Sequence, residues 1–156
     1  MDRVSEAAAA VESTVDSLVS VLEAASLAQT PNVPPAQLRV LSIIALNQHT
    51  NMNRLAEALE VVPSSASRLC DRLEATGLLR RVPDPRDRRE VRLMITPAAR
   101  RLLDQLHERR RQALAQVIDR MTPGDQKDLV RVLQAFADAT AHENEDDGQN
   151  DALRTA

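Results

Sequence analysis

The 156-residue chain fits one domain or two small lobes, with 43% apolar residues available for a core and a formal net charge of -3. Trp and Tyr are absent and Phe136 is the one aromatic, so the interior must be aliphatic and a binder that stacks single-stranded bases on aromatic platforms is excluded. Cys70 is the sole cysteine, which excludes an internal disulfide and a cysteine-built zinc site and makes a reducing cytoplasm the expected compartment.

In chain order, the first residues carry mixed charge and lack the unbroken apolar run of a secretion signal. No later stretch approaches the roughly 18 apolar residues that span a bilayer, so no membrane partner is expected. Val4, Ala8, Val11, Val15, Leu18, Val19, Leu22 and Ala25 recur at spacings of three and four, which predicts a helix over 4–28. The tract TPNVPP (30–35) ends it, because prolines cannot continue a helix. A second helix opens at Pro35 with Leu38, Leu41, Ile44 and Ala45 inward, and NQHTN (47–51) follows as a polar loop.

Asn51 is placed to cap a short third helix that turns Leu55, Ala56 and Leu59 inward. Pro63 suits the first position of a fourth, and Gly77 suits its C-terminal stop. Ala66, Leu69 and Leu73 form the inner stripe of that fourth helix. LLRRV (78–82) and VRLMIT (91–96) have strand character, with Val91, Leu93 and Ile95 alternating against Arg92 and Met94. The eight residues PDPRDRRE between them are long for a tight turn and predict a protruding ribbon. Thr96 or Pro97 opens a long helix carrying Leu102, Leu103, Leu106, Ala113, Leu114, Val117, Ile118 and Met121. Thr122 and Pro123 begin a last one with Leu129, Val132, Leu133 and Phe136, and from about His142 the acidic tail is expected to be disordered.

The fold class expected is mainly α with a small β-hairpin wing (α+β): a winged helix-turn-helix with flanking helices. Those outer helices carry more apolar surface than so small a winged domain needs for itself.

Charge is unevenly spread. Residues 1–30 hold one arginine against five carboxylates, 78–111 hold eleven arginines against five, and 138–156 hold one against six. A local basic block between acidic ends matters to a phosphate backbone more than the net charge does.

Two groups of residues could carry chemistry. The outer face of the fourth helix presents Ser64, Ser65, Ser67, Arg68 and Arg72. It is either an ordinary solvated surface or a major-groove reader, in which Arg68 takes both acceptors of a guanine and Arg72 meets a phosphate. The ribbon tip holds Arg86, Asp87, Arg88 and Arg89. It is either a solvated hairpin tip or a minor-groove probe, with the Asp87 carboxylate orienting the Arg89 guanidinium.

The runs LRVLSIIA (38–45), LAEAL (55–59), PSSASRLCDRLEATGLLRR (63–81) and DPRDRREVRLMITPAAR (84–100) together resemble the MarR family of bacterial transcription regulators, and the resemblance extends over residues 5–140. It implies a homodimer that presents two winged helix-turn-helix lobes to double-stranded DNA. The implied divisions are an N-terminal dimerisation helix (1–30), the DNA-binding lobe (35–97), C-terminal dimerisation helices (98–141) and the acidic tail (142–156). It further implies recognition by residues 63–76, a minor-groove arginine at Arg89, a near-palindromic operator, and repression as the family's commoner mode.

The chain departs from the family pattern where Gly-x-Ser often precedes the recognition-helix proline, having Glu60-Val61-Val62, and where Ala99 replaces a glycine. Many members take a small aromatic effector. Without Tyr or Trp, this chain offers such a ligand only an apolar cleft of Leu, Ile and Met. Redox sensing is the alternative role for Cys70, whose neighbours Arg68 and Arg72 would lower its pKa, against a structural thiol.

His49, His107 and His142 are scattered, and three glycines cannot build a phosphate-cradling loop. No enzyme, cofactor or metal is therefore expected. The alternative function is a winged-helix module that binds an acidic partner protein.

Overall fold

A computed structural model describes residues 2–28, 31–47, 49–87 and 89–152, with side chains described through residue 140. The order is α1 (Arg3–Leu27), α2 (Pro35–Leu46), α3 (Met52–Leu59), α4 (Pro63–Ala75), β1 (Leu79–Pro83), β2 (Val91–Ile95), α5 (Pro97–Ile118) and α6 (Pro123–Ala152). The chain divides into two compact units, residues 1–113 and 114–156, with the division inside α5. Among the described residues, no helix is long and apolar enough to cross a membrane.

Local chemistry sets most boundaries in the first unit. Pro35 and Pro63 open α2 and α4 at positions where the missing N–H would have had no partner. The Asn51 side chain accepts the Arg54 N–H at 3.0 Å and caps α3. Gly77, at φ 74°, turns the chain out of α4, and the Leu78 N–H closes back on the Leu73 carbonyl at 2.9 Å. Glu60 makes the corresponding turn after α3 at φ 56°, with the Val61 N–H on the Ala56 carbonyl at 3.0 Å. A side chain in that left-handed region is strained where glycine would not be.

The core of this unit is one aliphatic cluster. Val40 and Leu41 of α2, Leu55 of α3, Ala66, Cys70 and Leu73 of α4, Leu93 of β2 and Leu102, Leu103 and Leu106 of α5 are all buried. Each large side chain removed from water there contributes about 1.5–3 kcal/mol, so the helix-turn-helix is fixed by packing rather than by helix propensity.

The two strands pair antiparallel, with Arg81 opposite Leu93 and Pro83 opposite Val91. Val91 was expected on the inner face but is 48% exposed, because it pairs with the last residue of β1, beyond the reach of the core. The Leu93 N–H reaches the Thr50 carbonyl at 2.9 Å, which ties the hairpin to the loop before α3. At the far end, the Thr96 hydroxyl donates to the Gly77 carbonyl at 2.7 Å and accepts the Ala99 N–H at 3.2 Å. That one side chain caps α5 and holds it to the end of α4.

In the second unit, Thr122 and Asp125 form a reciprocal cap for α6. The Asp125 N–H reaches the Thr122 hydroxyl at 3.2 Å and that hydroxyl donates to the Asp125 carboxylate at 2.6 Å. None of this unit's described side chains is buried. Val130, Val132, Leu133 and Phe136 stand exposed along α6. The backbone of α6 continues as helix through Ala152, past the point where order was expected to end, and residues 153–156 lie outside the described residues. The segment from Ala137 to Asp147 is free of proline and glycine and holds three Ala and two Glu, which suit a helix even where charge and polarity suit disorder.

Candidate nucleic-acid interface

The inner face of α4 is committed to the core through Ala66, Cys70 and Leu73, which leaves the opposite face to solvent. Ser64, Arg68 and Arg72 are exposed there, while Ser65 and Ser67 are half-buried. The helix has an N-terminus that meets no side-chain cap, since Val62 occupies the capping position.

The ribbon is ordered by its acids. The Asp84 carboxylate accepts the Arg86 N–H at 2.8 Å, and the Asp87 carboxylate accepts the Arg89 N–H at 2.9 Å. Backbone bonds from Asp84 N–H to the Glu90 carbonyl (2.9 Å) and from Glu90 N–H to the Asp87 carbonyl (3.0 Å) close the loop. Asp87 thus engages Arg89, but at the backbone, where the sequence suggested the guanidinium. Two residues apart in a bend, an aspartate reaches the following amide more readily than a long side chain. Arg86, Asp87 and Arg89 are exposed, and Arg88 lies outside the described residues. The hydrogen bond from the Arg86 amide, with Arg92 and His49 nearby, holds the Asp84 carboxyl below its ordinary range.

Arg92 differs from its neighbours. It is half-buried, with one guanidinium nitrogen 3.8 Å from the Met94 sulfur. It borders a polar cleft of about 400 Å³ that Thr50, Arg54, Asp84 and Arg86 also line.

Arg81, Asp71 and Glu74, none of them expected among the site residues, complete the arrangement. Arg81 lies on the same face of β1 as buried Leu79, and its guanidinium reaches Asp71 at 2.7 Å and Glu74 at 2.5 Å, both on α4. The Arg81 N–H also reaches Glu74 at 3.3 Å. Burial works against the Arg81 charge, but the two carboxylates outweigh it and raise its pKa. The available signal was an arginine at an inward period-two position, with two acids three residues apart on the preceding helix.

Cys70 is fully buried on the inner face of α4. Burial first, then the charges of Asp71 and Glu74, push its thiol up to about 11 against the opposing pull of Arg81. Arg68 and Arg72 are not among the influences on it, so the expected lowering of its pKa is reversed. Among the described residues, no group of His, Cys, Asp and Glu could hold a metal ion.

A second concavity, of about 540 Å³, opens among α1, α2 and α5, with Leu27, Val33, Leu38 and Leu106 on its wall beside Arg39 and Arg110. The Arg110 guanidinium is held there by the Ser26 hydroxyl at 3.0 Å.

Residues 32–90 match a family model described as "MarR family". The crystal structure of RV1404 from Mycobacterium tuberculosis is similar over 90% of this chain and 96% of that one, at 30% identity and a TM-score of 0.80. The HTH-type transcriptional repressor MdtR of Bacillus subtilis is 27% identical over 107 residues, 69% of each chain. The multiple antibiotic resistance protein MarR of Salmonella typhimurium is 28% identical over 95 residues, 61% of this chain and 66% of that one.

Proposed function

The chain belongs to the MarR family and is a DNA-binding regulator of transcription, and from that premise we propose that it represses by occupying a near-palindromic operator as a homodimer. The observation that carries the interface is a single mechanical one. A helix whose exposed face offers Ser64, Arg68 and Arg72 is tied through Arg81 to a hairpin whose tip offers Arg86 and Arg89.

In this reading α4 enters the major groove, where Arg68 reads a guanine and the serines meet bases or phosphates. The ribbon enters the minor groove with Arg89 foremost, since a guanidinium sheds water more easily than an ammonium in a narrow, negative channel. The homodimer is supported by unpartnered apolar surface: Val11, Val15, Leu18 and Val19 on α1, and Val130, Leu133 and Phe136 on α6. A second copy would cover it. Two recognition helices would then sit about 34 Å apart, one turn of the duplex.

The concavity among α1, α2 and α5 suits a small apolar or aromatic effector, because Leu27, Val33, Leu38 and Leu106 wall it, with Arg39, Arg110 and Glu23 as its charged groups. The deciding experiment is gel retardation with the promoter of the chain's own gene. Selective retardation at physiological salt is expected, with a steep loss as salt rises. Diffuse, sequence-indifferent binding would overturn the reading.

A further inference from the structure

We propose that Arg81 is a positioning residue for DNA recognition, which with Asp71 and Glu74 fixes the angle between the helix that reads the major groove and the hairpin that reaches the minor groove. This rests on the DNA-binding reading above and deepens it.

The sequence counts Arg81 among eleven arginines in the basic block, as one more cation for phosphates. The geometry assigns it otherwise. Its side chain lies on the core-facing side of β1, only 26% exposed, while neighbouring Arg80 is on the other face and exposed. Its guanidinium is committed to two carboxylates from successive turns of α4, at 2.7 and 2.5 Å. Two anchors on one planar cation resist rotation of the hairpin about the α4 axis in a way one ion pair cannot. Glu74 adds a third restraint through the Arg81 backbone N–H.

The acids make the case sharper. Asp71 and Glu74 are 60% and 42% exposed on a helix that is to lie against phosphates. Two negative charges there oppose binding by simple electrostatics. Their presence is explained if the rigidity they confer outweighs that repulsion.

This gives a test in which positioning and electrostatics predict opposite signs. The probe is a duplex carrying the promoter of the chain's own gene, with a scrambled duplex of equal length beside it. Asp71→Ala with Glu74→Ala removes both acids, and alanine favours helix at each position, so α4 itself is not weakened. Positioning predicts about tenfold weaker binding to the promoter duplex, unchanged or tighter binding to the scrambled one, and an unchanged salt slope.

Arg81→Gln should reproduce the loss on the promoter duplex, and the triple variant should lose no more than either, because all three residues act through one junction. Arg81→Lys should fall between, keeping charge but not two-pronged geometry. Promoter binding in the double-alanine variant as tight as the unaltered protein's would overturn the proposal. So would an Arg81→Gln salt slope reduced by about 0.9, the signature of a lost phosphate contact. Thermal melting of each variant identifies any that fail to fold, and for those the Asp71→Ala single variant, which keeps the Glu74 pair, must still show a loss confined to the promoter duplex. Diffuse retardation by the unaltered protein would instead bring down the DNA-binding reading, separately from the role of Arg81.

Discussion

The Asp87 carboxylate accepts the backbone N–H of Arg89 at 2.9 Å, so the acid at the ribbon tip shapes the turn and leaves the arginine side chain to point outward. Arg89→Ala should weaken operator binding and lower the salt slope by about 0.9, with little change in major-groove preference. Asp87→Ala should also weaken binding, although it removes a negative charge, because the turn loses the carboxylate that holds the Arg89 amide. Fluorescence anisotropy over a salt series measures both. Tighter binding by Asp87→Ala would show that the acid acts only through repulsion.

Arg68 is exposed on the outer face of α4 and stands one turn beyond Ser64. Arg68→Ala should cost roughly 1–3 kcal/mol and relax selectivity at one base pair in each half-site. Competition among operators substituted one position at a time would reveal it. A uniform loss across all of them would mean a phosphate contact instead.

Cys70 bears on stability at high pH. Burial raises its pKa from an ordinary 9.0 to about 11. The folded thiol therefore stays protonated where the unfolded one ionises. Its contribution is fully present below pH 9.0 and is lost as pH rises towards 11. Alkylation of the native protein near neutral pH should be slow and limited by unfolding. Peroxide should leave operator binding unchanged, in Cys70→Ser as in the unaltered protein. Rapid native-state alkylation would revive the redox role.

Glu60 holds φ 56° at the turn between α3 and α4. Glu60→Gly removes the left-handed strain, partly offset by the greater freedom glycine has when unfolded, for a net gain of about 0.5–1 kcal/mol. Urea unfolding tests it. A glycine variant of equal or lower stability would mean that the Glu60 side chain does more than tolerate its backbone.

The elements were legible in the sequence where a boundary is written in one residue. Asn51, Pro63 and Gly77 act through their own backbone chemistry, and the structure places the ends of α3 and α4 at them. The clamp on Arg81 was illegible because it joins residues seven and ten apart across a turn whose geometry depends on packing. Composition adds all arginines alike, whereas folding turned Arg81 inward, half-buried Arg92 and left Arg89 in solvent. The Asp87–Arg89 pair was visible as a pair, but charge alone could not say that the amide, and not the guanidinium, is the partner.

Phe136 is 63% exposed on α6 and is the single aromatic in the chain. Its optical signature thus reports on one surface of one helix, with no background from the core. A surface that covered α6 would change the surroundings of that one ring. Conversely, one tryptophan introduced beside Arg89 would be spectroscopically alone at its own wavelength. Assembly could then be followed through the phenylalanine of the unaltered, DNA-free protein, and DNA contact through the tryptophan of the variant.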